Sequence, residues 1–212
     1  EIRPRDWSSD VCSSDLGLLL FSNFSSYLLQ TRLQSLAQQA QATASTTAVE
    51  IQRAGGRGVQ GILTRRQAAV AKDYEGASIA VVPVERQCDV SVVPGAPPGD
   101  LRGPVFAGPW EHVDPPRQVP TWVTCAGFQG LLAFADLDAS ASTEAAGSGL
   151  GRRAARRDVG LTARAIVMPD VPAPTYAVVV DLLVNESIRT ELRTETGVLL
   201  TTVQSISPSA PV

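Results

Sequence analysis

Between Leu29 and Ala40 the apolar residues Leu29, Leu33, Leu36 and Ala40 recur at spacings of four, three and four, while Gln30, Arg32, Gln34 and Gln38 fall mostly elsewhere around a helix. No glycine or proline interrupts Ser22 to Gln52, so the pattern predicts one long helix, broken at Ala54-Gly55-Gly56-Arg57-Gly58. A second helix is predicted over Val59 to Tyr74, with Ile62, Leu63 and Val70 on one side. From Ala77 the texture changes. Ser78 to Glu85 and Asp89 to Val93 are rich in Val and Ile and predict strands, and Pro83 pushes the first toward a sheet edge or a bulge. Pro94 to Pro120 holds eight of the fifteen prolines without periodicity and predicts a long loop.

Thr121 to Ala135 predicts a hairpin: Trp122 to Cys125, a turn near Gly127 to Gly130, then Leu131 to Ala135. Asp136 to Gly160 is a low-complexity insert with the basic run Arg152-Arg153-Ala154-Ala155-Arg156-Arg157, read as a solvated loop. Leu161 to Met168 and Tyr176 to Val184 predict strands, the second apolar enough to be central. Asn185 is placed to cap a helix over Glu186 to Thr196 and Gly197 to end it; Val198 to Ile206 predicts a last strand before a polar tail. The fold class is therefore α+β, a long N-terminal helix followed by an antiparallel sheet.

Asp6 to Leu16, DWSSDVCSSDL, resembles a translated sequencing adapter codon by codon, so residues 1–16 are expected to lie outside the fold. A signal peptide would need a basic start and an apolar run, which Trp7-Ser8-Ser9-Asp10 does not supply. Setting aside Arg3, Arg5, Glu1, Asp6, Asp10 and Asp15 leaves 196 residues with 16 basic and 17 acidic side chains. That balance gives no electrostatic footprint for nucleic acid. Gly17 to Phe24, GLLLFSNF, is too short to span a bilayer and reads as the remnant of a transmembrane helix at 17–24. Arg32 is the one basic residue from Ser25 to Ala44, which favours the outer face of the membrane. The remaining division is a helical segment over 25–75, an α+β domain over 76–206 with loops 94–120 and 136–160, and a tail over 207–212.

The chemistry-bearing residues are few. One histidine, His112, and one lysine, Lys72, exclude His-rich zinc motifs and a phosphate-cradling GxxxxGK[ST] loop. His112 lies in the proline loop without a GxSxG serine, so no catalytic residue, metal site or cofactor is assigned. Cys88 and Cys125 can pair in an oxidising compartment or stand as two small buried residues. Asn185-Glu186-Ser187 matches N-x-S, but capping explains it better.

The stretches FQGLLAFA, LTARAIVMP and TYAVVVDLLVNESIRTELRTETGV, in this order after a long helix, resemble the extracytoplasmic sensor regions of bacterial membrane signalling proteins. These include sensor histidine kinases of the nitrogen-regulation type and membrane-anchored serine/threonine phosphatases of the sporulation type. The resemblance is one of layout and texture over about Gly17 to Ile206 and implies a PAS-like or Cache-like sheet. It also implies an inner-membrane anchor through the N-terminal helix, a periplasmic location, a homodimer in the full-length protein and a small-molecule ligand. Whatever kinase or phosphatase output domain exists lies outside this chain. In such a sheet Trp122, Arg164, Tyr176 and Asp181 are the strand residues able to offer stacking, charge and hydrogen bonds to a ligand. Each has a structural alternative, as a core aromatic or a cross-strand charge. The competing class is a periplasmic or soluble enzyme or binding protein that has lost its N-terminus.

Overall fold

A computed structural model describes residues 10–84, 101, 103–134, 160–169 and 173–198, with side chains from residue 23 onward. Two helices come first, α1 (Asp10–Arg53) and α2 (Val59–Val70). Five strands follow: β1 (Ser78–Pro83), β2 (Val105–Ala107), β3 (Phe128–Ala133), β4 (Leu161–Val167) and β5 (Tyr176–Leu183). Helix α3 (Glu186–Thr196) closes the described chain. The strands form one sheet in the order β2-β1-β5-β4-β3, and every neighbouring pair is antiparallel. The protein is thus α+β, with a long N-terminal helix against a five-stranded antiparallel sheet.

Alternation along the strands divides the core in two. On β5, Tyr176, Val178, Val180 and Leu182 face α1 and α2 and meet Ala40, Ala44, Ala48, Ile51 and Leu63. Ala177 and Val179 face the other way, where Trp110, Val113 and Val123 cover them together with Ile166 and Met168. Two-sided burial explains why β5 reads as an almost unbroken apolar run. The small alanines of α1 let the helix axis lie close to the sheet. A third cluster joins Leu29, Leu33 and Leu36 of α1 to Ile188 and Leu192 of α3, beside Leu161 and Val184.

Several expectations change. The backbone of α1 runs from Asp10 to Arg53, longer than Ser22 to Gln52, and takes in residues 10–16. Helix α2 ends at Val70 rather than Tyr74. β1 is an interior strand, paired on both sides, and not an edge. Pro83 is tolerated because it is the last residue of the strand, opposite Tyr176. The proline loop contains β2, a three-residue strand too short to leave a periodic signal. The hairpin before β3 is also different: Trp122 to Cys125 forms no strand, Thr124 and Gly127 make an isolated bridge, and the strand starts at Phe128. Gly127 turns there at φ 83°, with its α-carbon hydrogens against the Ile166 carbonyl, a place that a side chain would not fit. Asp89 to Val93, Asp136 to Arg157 and Leu199 to Ile206 lie outside the described residues. Among the described residues no helix is long and apolar enough to cross a membrane.

The last helix follows its local signals. The Asn185 side chain accepts from the Ile188 amide at 3.0 Å, and Gly197 takes the left-handed conformation at φ 71° and donates to the Arg193 carbonyl.

Candidate functional site

Register places a row of polar residues across the middle of the sheet. Ser78 pairs with Asp181, and Asp181 pairs with Arg164 on its other side. All three belong to the strand positions that face away from α1. Asp181 is fully buried and Arg164 is 4% exposed. The guanidinium and carboxylate meet as a fork: Arg164 Nε donates to Asp181 Oδ1 at 2.6 Å and Nη2 donates to Oδ2 at 2.5 Å.

A third side chain comes from the proline loop. Gly108 adopts φ 101° against β1, where an added Cβ would stand 2.6 Å from the Ala77 carbonyl oxygen. Trp110, at φ 47°, donates its backbone N–H to Ser78 Oγ at 3.2 Å. This clamp delivers His112 over Asp181, with Nε2 2.8 Å from Oδ2. The aromatic rings form a lid above the ion pair. Trp110 stacks on His112 at 5.8 Å and 19°, and the Phe134 ring lies 5.4 Å from the imidazole, tilted by 43°. The His112 side chain is 1% exposed.

The electrostatics assign the protons. Burial alone would raise the Asp181 pKa, but the charge and hydrogen bonds of Arg164, with the hydrogen bond from His112, outweigh it and hold the carboxyl below its ordinary value. An ionised carboxylate only accepts, so His112 carries a proton on Nε2. If the imidazole is neutral, Nδ1 is a bare lone pair. That atom is buried and has no hydrogen-bond partner among the described residues, and the same holds for Trp110 Nε1. A carboxylate-oriented imidazole of this kind can accept a proton or a hydrogen bond. Ser78 is not its nucleophile: that hydroxyl donates to the Gly76 carbonyl and accepts from Trp110. Among the described residues no group of three His, Cys, Asp or Glu side chains could hold a metal ion.

The four residues expected to line a ligand site are separated. Arg164 and Asp181 come together. Tyr176 points to the opposite face of the sheet, where its hydroxyl donates to the Ala48 carbonyl at 3.4 Å. The cause is the period of two along β5: residues 176 and 181 have opposite parity. Trp122 is 41% exposed and packs edge-on against Phe128 at 4.8 Å. Cys125 is disulfide-bonded, and Cys88 lies outside the described residues.

His112 was not among the expected site residues. The signal that could have raised the question is Asp181 itself, a lone carboxylate in an apolar strand that must find cationic or N–H partners. Nothing local points from there to a histidine 69 positions away. Comparison with protein-family models, with curated proteins and with solved structures finds no match.

Proposed function

We propose that this chain is a noncatalytic, extracytoplasmic sensor and signal-transmitting region of a bacterial membrane signalling protein. One observation carries the reading: the path of the chain along α1. β5 starts beside the end of α1, through the Tyr176 hydroxyl and the Ala48 carbonyl. α3 finishes beside an earlier part of α1, where Arg32 Nη2 and Glu195 Oε1 are 2.8 Å apart. The β5–α3 segment therefore runs antiparallel to α1, and α3 leads away from the sheet beside the incoming helix. Two adjacent helices at one end of a sheet are suited to pass a displacement from the sheet to whatever lies beyond them. The antiparallel sheet behind a long helix agrees with the PAS-like layout. The disulfide at Cys125 fits an oxidising compartment. In this reading 17–24 belongs to the inner-membrane anchor.

The buried Arg164–Asp181–His112 cluster ties the loop at 108–113 to the two central strands. A small ligand that reached Nδ1 of His112 would act on both loop and sheet. The test is a chimera in which the chain is placed between the two membrane helices of a receptor kinase. Glu195→Arg, which sets two cations together at Arg32, changes the basal kinase output, and the exchange Arg32→Glu with Glu195→Arg restores it. Output indifferent to both variants would sink the signalling role. The buried Nδ1 of His112, without a hydrogen-bond partner among the described residues, favours a second reading, a periplasmic or soluble enzyme. Turnover of an activated ester that disappears in His112→Gln would support that reading instead.

A further inference from the structure

Two adjacent rings of the loop above the sheet each carry a buried polar atom that nothing among the described residues satisfies, Trp110 Nε1 and His112 Nδ1. Trp110 is 8% exposed and the His112 side chain 1%. Buried polar side-chain atoms are almost always hydrogen-bonded, and an orphan in an apolar site is costly. Here two of them belong to rings stacked at 5.8 Å and 19°, and they do not serve each other. The polar groups that fasten the loop are already committed. Ser78 Oγ accepts from the Trp110 amide and donates to the Gly76 carbonyl, and the Asp181 carboxylate holds Arg164 and His112 Nε2. The backbone adds a second observation. Trp110 is the one non-glycine with positive φ among the described residues, at 47°. A bulky side chain is strained there, and such strain persists where the surroundings hold that side chain in a required place.

The chemistry of the two atoms sets the class of ligand. The indole N–H only donates. With Nε2 giving its proton to Asp181, a neutral imidazole offers Nδ1 only as an acceptor. The complementary group accepts at one point, donates at another and carries no charge. A carboxylate has no proton for Nδ1. An ammonium has no lone pair for the indole, and it brings a second cation to a carboxylate already matched by Arg164. A primary carboxamide meets both demands, its C=O turned to the indole and its N–H to the imidazole. With a hydrogen bond of about 2.9 Å at each end it bridges atoms up to about 8 Å apart, enough for rings whose centroids are 5.8 Å apart.

We propose that Trp110 Nε1 and His112 Nδ1 are the recognition pair for a small neutral ligand bearing a carboxamide. The two nitrogens of an imidazole point in divergent directions. Since Nε2 is turned to Asp181, Nδ1 faces away from the carboxylate, and the ligand binds without parting the ion pair. The proposal deepens the sensor reading and rests on it for what binding causes, but the recognition itself rests on the two atoms.

The experiment uses the full chain carrying Trp7→Phe and Trp122→Phe, which leaves Trp110 as the one indole and His112 as the one imidazole. Nitrogen-15 magnetic resonance at neutral pH follows the indole Nε1–H and the imidazole Nδ1 in the same sample. The probes are acetamide, acetate and acetone, matched in size but different in charge and in donors. Acetamide shifts both resonances saturably, and acetate shifts neither. Acetone, which cannot donate to Nδ1, binds about tenfold more weakly and leaves the Nδ1 resonance in place. Absence of a saturable shift with acetamide, equal shifts with all three probes, or an indole shift with Nδ1 unmoved overturns the proposal. So does a cross-peak from the indole N–H to a bound water that acetamide fails to displace, the mark of a structural water only. Acetamide binding in a chain whose kinase chimera ignores Glu195→Arg would end the signalling reading and leave the site standing. A chimera that responds, with neither resonance moved by acetamide, would remove the site alone.

Discussion

Removing one member of the buried ion pair should be far more damaging than removing both. Among the described residues, Arg164→Met leaves a fully buried carboxylate with only His112 to serve it, and Asp181→Val leaves a guanidinium that is 4% exposed without a counter-charge. Breaking a buried pair from one side costs about 3–5 kcal/mol. Because neither group is solvated, this figure needs no discount for screening. Replacing both charges by apolar side chains is often close to neutral. Here the double variant also strands the His112 Nε2–H, which adds about 1–3 kcal/mol. The double variant should then be no less stable than the better single variant. Independent sites would instead add to about 6–10 kcal/mol, comparable with the whole stability of a domain. Urea unfolding followed by circular dichroism at neutral pH measures all four corners of the cycle, read as midpoint shifts at constant slope. Single variants that each cost under about 1 kcal/mol, or a double variant as unstable as the sum, would refute the assembled and desolvated cluster.

The Asp181 carboxyl is held below its ordinary value of 3.8, so its contribution to stability is complete above that pH and is lost as the pH falls below it toward the native-state value; an acid titration of stability should show this loss in the parent chain and not in Asp181→Asn. Asn185→Ala removes the cap on the Ile188 amide and should lower stability by about 1 kcal/mol in the same urea assay; no measurable change would mean that α3 is held by Leu192 and Ile188 alone. Gly108→Ala puts a Cβ against the Ala77 carbonyl at a φ of 101° and should cost about 1–3 kcal/mol or more, with loss of the tryptophan near-ultraviolet signal as Trp110 leaves its seat. Retention of both stability and signal would show that the loop is not clamped there. In unfolded, unreduced protein Cys125 should not react with a thiol reagent; mass spectrometry finding it alkylated would contradict the disulfide.

How much of this was legible along the chain depends on the range of the interaction involved. α3 was read in full, from Asn185 to Gly197, because a side-chain cap and a left-handed glycine act within four residues of where they sit. The central position of β5 was legible for a similar reason: YAVVVDLL is apolar on both faces, and only a strand covered on both sides requires that. The α+β class followed from the change of period at Ala77. β2 was hidden in the proline loop, since three residues form a strand only when β1 offers an unpaired edge. Pro83 misled for the converse reason, being harmless at the end of a strand and disruptive only within it.

The candidate site belongs to tertiary structure. Arg164 and Asp181 were visible as charges on strands, but their pairing needed β4 and β5 to be neighbours in one register, since a slip of one residue would send either side chain to the α1 face. The same parity put Tyr176 on that face, away from the residues with which it had been grouped. His112 reaches Asp181 only because Gly108 and the Trp110 amide fasten the loop to Ser78, three contacts spread over residues far apart in sequence. Local propensity is set by the backbone and its nearest neighbours, so it registers caps, periods and breaks. The partner of a buried charge is set by which surfaces meet after folding, and no periodicity along the chain encodes that choice.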